Sequence, residues 1–149
     1  YHRIFAGAPL TGKGSGTILF INKTEKLLKQ EILIEGRIIY AQIENDLTKD
    51  IKNIFSFYGK TRGSLNEKLH LINCIKEKAK KDMLTNNYLI GDFNFVTSKL
   101  DRNSNAFTKT DMEYKDAMTD LETCLQIVDS FRQNYPDQRR YTFTGTNNK

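Results

Sequence analysis

The chain has 149 residues, with 23 lysines and arginines against 18 aspartates and glutamates, and a formal net charge of +5. This length suits one domain, and 38% apolar with 28% charged residues excludes a disordered or low-complexity chain. No apolar run approaches the roughly 18 residues of a membrane helix, so we expect a soluble protein without a membrane partner. The chain begins at Tyr1 without a signal-peptide pattern, and we expect it to be a fragment.

Charge and cysteine usage indicate the surroundings of the chain. Residues 1–81 carry 15 basic and 8 acidic side chains, whereas residues 82–149 carry 8 and 10. A basic half suits a polyanionic partner, although many lysine-rich faces are merely solvated. Cys74 and Cys124 form no Cys-x-x-Cys pair, so we expect two buried thiols in a reducing, intracellular compartment.

The first part of the chain is rich in strand signals. The apolar run Thr17–Ile21 follows a glycine-rich stretch at 12–16, which predicts a strand after a surface loop. A phosphate-binding P-loop would instead need a helix after the glycines. Two further β-rich stretches cover Gln30–Ile43 and Ile51–Tyr58, with a polar turn at Glu44–Lys49 between them. Gly36 and Arg37 mark a turn or bend inside the first stretch.

Capping-box spacing predicts two helices. Ser64 and Glu67 have this spacing before a first apolar stripe made of Leu65, Leu69, Ile72, Ile75 and Ala79. Thr110 and Glu113 have it before a second stripe made of Tyr114, Ala117, Met118, Leu121, Cys124, Leu125 and Val128. Serine or threonine three residues before glutamate is typical of a helix start.

Two short strands complete the predicted order of elements. Tyr88–Ile90 predicts a buried strand that ends at Gly91, and Tyr141–Thr144 predicts a last strand after Pro136. The order of strands, helix, strand, helix and strand predicts a single mixed α/β layered domain over residues 1–149.

One polar constellation remains as a candidate for chemistry. The chain has two histidines, no His-Glu-x-x-His signature and no Gly-x-Ser-x-Gly elbow. Tyr58 ends one predicted strand, and Asp92 and Asn94 follow the end of another. An aspartate there can orient or deprotonate a water while an amide holds its target. The same residues also favour ordinary turns, so a catalytic and a structural interpretation both stay open.

Several motifs in a fixed order carry a family resemblance. The segment Tyr88-Leu-Ile-Gly-Asp92-Phe-Asn94, followed by Leu100-Asp101-Arg102, resembles the endonuclease/exonuclease/phosphatase superfamily. It is most similar to the apurinic-type endonuclease domain of LINE-type non-LTR retrotransposons. Further segments similar to that domain are Gly16–Ile21, Glu35-Gly36-Arg37, Phe55-Ser-Phe-Tyr58, Val128-Asp129-Ser-Phe-Arg132, Tyr135-Pro136 and Arg140-Tyr141-Thr142-Phe143.

The resemblance implies a fold, a reaction and a location. The implied fold is a DNase I-like layered α/β sandwich of mixed β-sheets, of which residues 1–149 would form a part without the first and last strands. The implied reaction is Mg²⁺-dependent hydrolysis of a phosphodiester in duplex DNA, which nicks a target site for reverse transcription. Duplex DNA is therefore the expected partner, and the nucleus is the expected location.

The resemblance also implies roles for single residues. Asp92 matches the aspartate that activates the attacking water, Asn94 the asparagine that holds the phosphate and that aspartate, and Tyr58 a tyrosine near the phosphate. The residues expected to face the DNA are Thr142, Lys60 and Arg102. Arg102 and Asp101 also suit a structural ion pair that shapes a loop, and we favour that role.

The chain departs from the family pattern at several points. Tyr58-Gly59-Lys60-Thr61 stands where the family has Tyr-Ala-Pro-Asn. The family's metal-binding glutamate, its first asparagine, its terminal aspartate and its Ser-Asp-His element have no counterpart in the sequence, so no metal ligand is assigned. An incomplete endonuclease is the leading hypothesis, and the alternatives are a phosphomonoesterase of the same superfamily and an inactive retroelement remnant.

Overall fold

The computed structural model describes residues 2–6, 16–102 and 106–141. These residues form six strands, three α-helices and a short 3₁₀ turn at Lys99–Asp101. The strands are β1 (His2–Ala6), β2 (Thr17–Ile21), β3 (Glu25–Ile34), β4 (Ile38–Asn45), β5 (Ile51–Tyr58) and β6 (Asn87–Asp92). The helices are α1 (Leu65–Lys81), α2 (Lys109–Leu125) and α3 (Ser130–Asn134).

The strands form two sheets. β1 and β2 pair antiparallel, and β3, β4, β5 and β6 form a mixed sheet in that order. β3, β4 and β5 are antiparallel neighbours, whereas β6 runs parallel to β5. A parallel pair needs a crossover connection, and α1 supplies it. The carboxyl ends of β5 and β6 therefore meet at one edge of the sheet, and the mixed α/β prediction is confirmed.

The mixed sheet buries side chains on both of its faces. Ile38 and Tyr40 of β4 pack with α1 and α2, while Ile39 and Ala41 of the same strand pack against β1 and β2. Successive residues of a strand point to opposite faces, so β4 contributes to both cores. The helices cover one face and the two-stranded sheet covers the other, which makes a layered arrangement.

The predicted start of α1 is confirmed, and that of α2 is wrong. The Ser64 side chain accepts from the Glu67 N–H, and the Glu67 carboxylate accepts from the Ser64 N–H at 2.8 Å. The capping box of α2 is formed by Thr108 and Asp111, not by Thr110 and Glu113. Both pairs have the required spacing, but only Asp111 also binds an arginine, which fixes the helix start two residues earlier.

Strand boundaries agree with the sequence only where the apolar pattern is strong. β2 and β5 have the predicted bounds. The stretch Gln30–Ile43 belongs to two strands, and the turn predicted at Gly36 and Arg37 between them is confirmed. β3 begins at Glu25, earlier than predicted, and its first residues were not recognised because this exposed edge strand lacks an alternating apolar pattern.

The end of the chain differs in part from expectation. β6 is longer than Tyr88–Ile90 and is only partly buried. Leu89 packs against the core on the helix side, whereas Tyr88 and Ile90 are about half exposed at this edge of the sheet. Val128 lies beyond α2 and is 63% exposed, so it does not extend the apolar stripe. Thr142–Thr144 of the predicted last strand lie outside the described residues. Among the helices described, none has the length and apolar character to cross a bilayer.

Candidate functional site

The candidate site is a row of three residues at one edge of the mixed sheet, two of them at the ends of β5 and β6 and the third in the turn before β4. Tyr58 and Asp92 are Cα partners at the carboxyl ends of β5 and β6. The Tyr58 N–H donates to the carbonyl of Arg37, just before β4, at 2.8 Å. Residues directly across from each other in a sheet share one face. The three residues therefore lie at one edge and on one face.

β1 and β2 cover the same face of the mixed sheet, further from the strand ends that carry the row. Ser56 lies two residues before Tyr58 and so points to the same side of the sheet. Its hydroxyl is 2.8 Å from the Thr17 hydroxyl of β2. The two-stranded sheet thus packs directly beside the row and fixes the orientation of β5 there.

Arg37 is held against Tyr58 and was not predicted as a site residue. Its guanidinium lies 4.8 Å from the centre of the Tyr58 ring, and its Nη1 donates to the Gly59 carbonyl at 3.1 Å. Gly36, with φ of +65°, makes the turn that brings Arg37 to this place. In the sequence, Arg37 belongs to the motif Glu35-Gly36-Arg37, which was matched to a strand of the family and not to its site.

The turn after β6 holds Asp92 and Asn94 together. Asp92 Oδ1 accepts from the backbone N–H of Asn94 at 3.0 Å. Asn94 has φ of +55°, a left-handed conformation that asparagine tolerates better than most residues. Its side-chain Nδ2 donates to the Gly59 carbonyl at 3.0 Å. Asn94 therefore ties the β6 end to the loop after β5.

Two glycines allow these loops to approach each other. The Gly59 N–H donates to the Asp92 carbonyl at 2.7 Å. A Cβ at Gly59 would lie 1.9 Å from the Phe93 carbonyl oxygen, and one at Gly91 would lie 1.9 Å from the Phe57 carbonyl oxygen. Neither contact is possible without a backbone shift. Glycine at these two positions thus allows Asp92 and Asn94 to lie close to the end of β5.

Three of the site residues predicted from the sequence lie close together, and the others do not join them. Tyr58, Asp92 and Asn94 come together at the strand ends. Lys60 is nearby, but its Nζ binds Glu67 Oε1 at 3.0 Å. Thr142 lies outside the described residues.

Asp101 and Arg102 form two ion pairs, each with another partner. Arg102 binds Asp111, and Asp101 binds Arg132. Burial of Asp111 opposes its ionisation, but hydrogen bonds from Thr108 and the charge of Arg102 lower the pKa of this carboxyl overall. Each of the two residues thus forms a structural ion pair, but with a partner in α2 or α3 rather than with the other.

The charges around the row differ in how they are compensated. Hydrogen bonds from Lys60 and Ser64 lower the pKa of Glu67 to about 2, so the positive charge of Lys60 is balanced by an ionised carboxylate. Arg37 forms no ion pair with any of the described residues. Asp92 is exposed. Within the part of the chain that the structure describes, the row therefore presents one cation without an ion-pair partner and one accessible carboxylate.

Comparison with family models and with curated proteins does not assign the chain to a family. No protein-family model matches the chain, and no curated protein matches it with significance. The family resemblance therefore rests on the motifs themselves.

Proposed function

We propose that the row Arg37–Tyr58–Asp92 is the phosphate-facing edge of a nucleic-acid phosphodiesterase, and that the chain is part of a DNase I-like endonuclease domain that nicks duplex DNA. The observation that carries the proposal is the joint placement of Asp92 and Asn94 beside Tyr58, at the ends of two parallel strands. Ligand sites of α/β proteins commonly lie at such strand ends.

The side chains have the chemistry that phosphodiester hydrolysis needs. The exposed Asp92 carboxylate can orient a water and accept its proton. The Tyr58 hydroxyl can donate to a phosphate oxygen. Asn94 uses its amide on Gly59, so its proposed role is to hold the turn that carries Asp92. A carboxylate held by strand ends keeps its position better than one on a long loop.

The described residues do not provide a complete site for the magnesium ion that the resemblance implies. Among the described residues, no group of three or more histidine, cysteine, aspartate and glutamate side chains could hold a metal. Magnesium bound near phosphates often uses one or two carboxylates together with phosphate oxygens. In the proposed site, Asp92 orients the water, Asn94 holds the turn and Tyr58 contacts the phosphate, while a bound magnesium would neutralise the charge on the leaving oxygen.

Paired assays on the full reading frame test the proposal. Supercoiled plasmid reports nicking, and phosphoinositides report phosphate release, each with and without a chelator. We expect chelator-sensitive nicking and no phosphate release. Phosphate release without nicking would favour the phosphomonoesterase, and neither activity would favour the inactive remnant.

Residues 1–149 alone serve as the comparison in the same assay. We expect no magnesium-dependent nicking above background, because these residues have no counterpart of the family's metal-binding glutamate or of its Ser-Asp-His element. Robust nicking by these residues, abolished by chelator, would contradict this expectation.

A further inference from the structure

We propose that Arg37 binds a phosphate group of the DNA strand that Asp92 faces. The inference rests on the proposed function and extends it to a residue to which the motifs gave no role at the site. Arg37 lies in the same row as Asp92, one strand beyond Tyr58, and its side chain is partly exposed. Cα atoms two strands apart in a sheet are separated by roughly 10 Å, so both groups can reach one short stretch of backbone.

Arg37 is positioned before any ligand binds. The Tyr58 ring supports one face of its guanidinium at 4.8 Å, and the Gly59 carbonyl receives one of its five N–H donors. The other donors make no hydrogen bond to described residues. A held guanidinium with free donors matches phosphate oxygens in a bidentate manner and loses little entropy on binding.

Arg37 also differs from the other arginines that have buried contacts. Arg102 and Arg132 each bind an aspartate, which accounts for their place in the fold. Arg37 binds only a carbonyl and an aromatic ring, so its charge is not neutralised within the described residues. An uncompensated, held cation suits an anionic ligand better than a structural role.

A cation beside Asp92 would offset the repulsion between its carboxylate and a bound phosphate. A carboxylate that faces a phosphodiester repels it, and the repulsion lowers affinity unless a cation lies close by. Lys60 is bound to Glu67, whereas Arg37 has no carboxylate partner among the described residues and can offset the charge of Asp92. Arg37 would thus let the site hold a phosphate close to the carboxylate.

Binding of a short fluorescein-labelled DNA duplex to residues 1–149, measured by anisotropy over a range of KCl concentrations, tests the inference. Arg37→Gln should weaken binding about tenfold and reduce the slope of log K against log [KCl] by about one contact. Arg37→Lys should keep the slope but recover only part of the affinity, because lysine cannot stack or bind two oxygens. Lys23→Gln is the matched control, with the same change of charge in an exposed turn at the opposite end of β3, and should leave the slope unchanged.

The outcomes separate the inference from the proposed function. A parent-like slope for Arg37→Gln, or failure of the parent chain to bind the duplex, overturns the role of Arg37. Loss of binding in Arg37→Gln together with absence of nicking by the full reading frame overturns the proposed catalysis and leaves the phosphate contact standing.

A measurement on the parent chain covers the case in which the variants do not fold. Phenylglyoxal modifies accessible arginines, and mass spectrometry locates the adducts. We expect the duplex to protect Arg37 from modification. Equal modification of Arg37 with and without the duplex overturns the inference.

Discussion

Asn94 and Arg37 donate to the same acceptor, the carbonyl oxygen of Gly59, at 3.0 and 3.1 Å. Asn94 belongs to the turn after β6, whereas Arg37 belongs to the turn before β4. The Gly59 carbonyl, in the loop after β5, therefore connects the turn that carries Asn94 with the turn that carries Arg37. We expect a disturbance at any of the three positions to affect the other two.

Replacement of Asn94 separates its side chain from its backbone. Asn94→Ala loses the hydrogen bond to Gly59, worth about 1 kcal/mol, and places alanine at a positive φ, which costs about 1 kcal/mol more. Asn94→Gly also loses the hydrogen bond and gives the unfolded chain more conformational freedom, but it has no steric strain at a positive φ. Urea unfolding should therefore rank the parent above Asn94→Gly and Asn94→Gly above Asn94→Ala. Equal stability of the two variants would show that the strain at the positive φ does not exceed the entropic cost of glycine.

Gly59→Ala tests the close approach of the two loops. The new Cβ would lie 1.9 Å from the Phe93 carbonyl oxygen, so the backbone must shift. We expect a loss of stability on the order of 2 kcal/mol and weaker DNA binding, because the shared acceptor moves. Urea unfolding and anisotropy on one sample measure both effects. Parent-like values in both measurements would refute the tight fit at Gly59.

Asp111 links the start of α2 to Arg102, and its effect should depend on pH. Because the pKa of this carboxyl is lowered in the folded protein, its contribution is present above its ordinary value of 3.8 and is lost as the pH falls through the folded value. Asp111→Asn should lower the free energy of unfolding by about 3 kcal/mol at neutral pH. The difference from the parent should shrink in acid. A difference that stays constant down to low pH would rule out the ionised pair.

Lys60→Ala decides between Glu67 and DNA as the partner of Lys60. In the parent, the hydrogen bond from Lys60 is the largest cause that lowers the pKa of Glu67 to about 2. The substitution should therefore raise this pKa toward its ordinary value of 4.5, as an NMR titration of the Glu67 side chain can measure. A changed pKa with an unchanged salt dependence of DNA binding assigns Lys60 to Glu67. An unchanged pKa with a flatter salt dependence assigns it to the DNA.

Local patterns predicted the parts of this protein that local interactions determine. The capping box at Ser64 and Glu67 forms as predicted because both partners lie within one turn of helix. The start of α2 depends instead on Arg102, which binds Asp111 nine residues further along the chain, and no rule of capping-box spacing includes that contact.

The same distinction applies to the candidate site. The sequence places Asp92 and Asn94 together because they are close along the chain and follow a strand signal. Arg37 was missed, because its place beside Tyr58 results from the pairing of β4 with β5. A single sequence does not give that register without knowledge of the sheet order.

The central claim is that Asp92 acts on the water that attacks a phosphodiester, and Asp92→Asn in the full reading frame tests it most directly. Asparagine keeps the oxygen that accepts from the Asn94 N–H but lacks the charge and the basicity of aspartate. Single-turnover plasmid nicking and thermal unfolding, measured on the same samples, separate catalysis from folding. We expect an unchanged melting temperature, equal or higher DNA affinity, and a nicking rate lower on the order of a hundredfold. A stably folded Asp92→Asn protein that nicks at the parent rate would contradict the account.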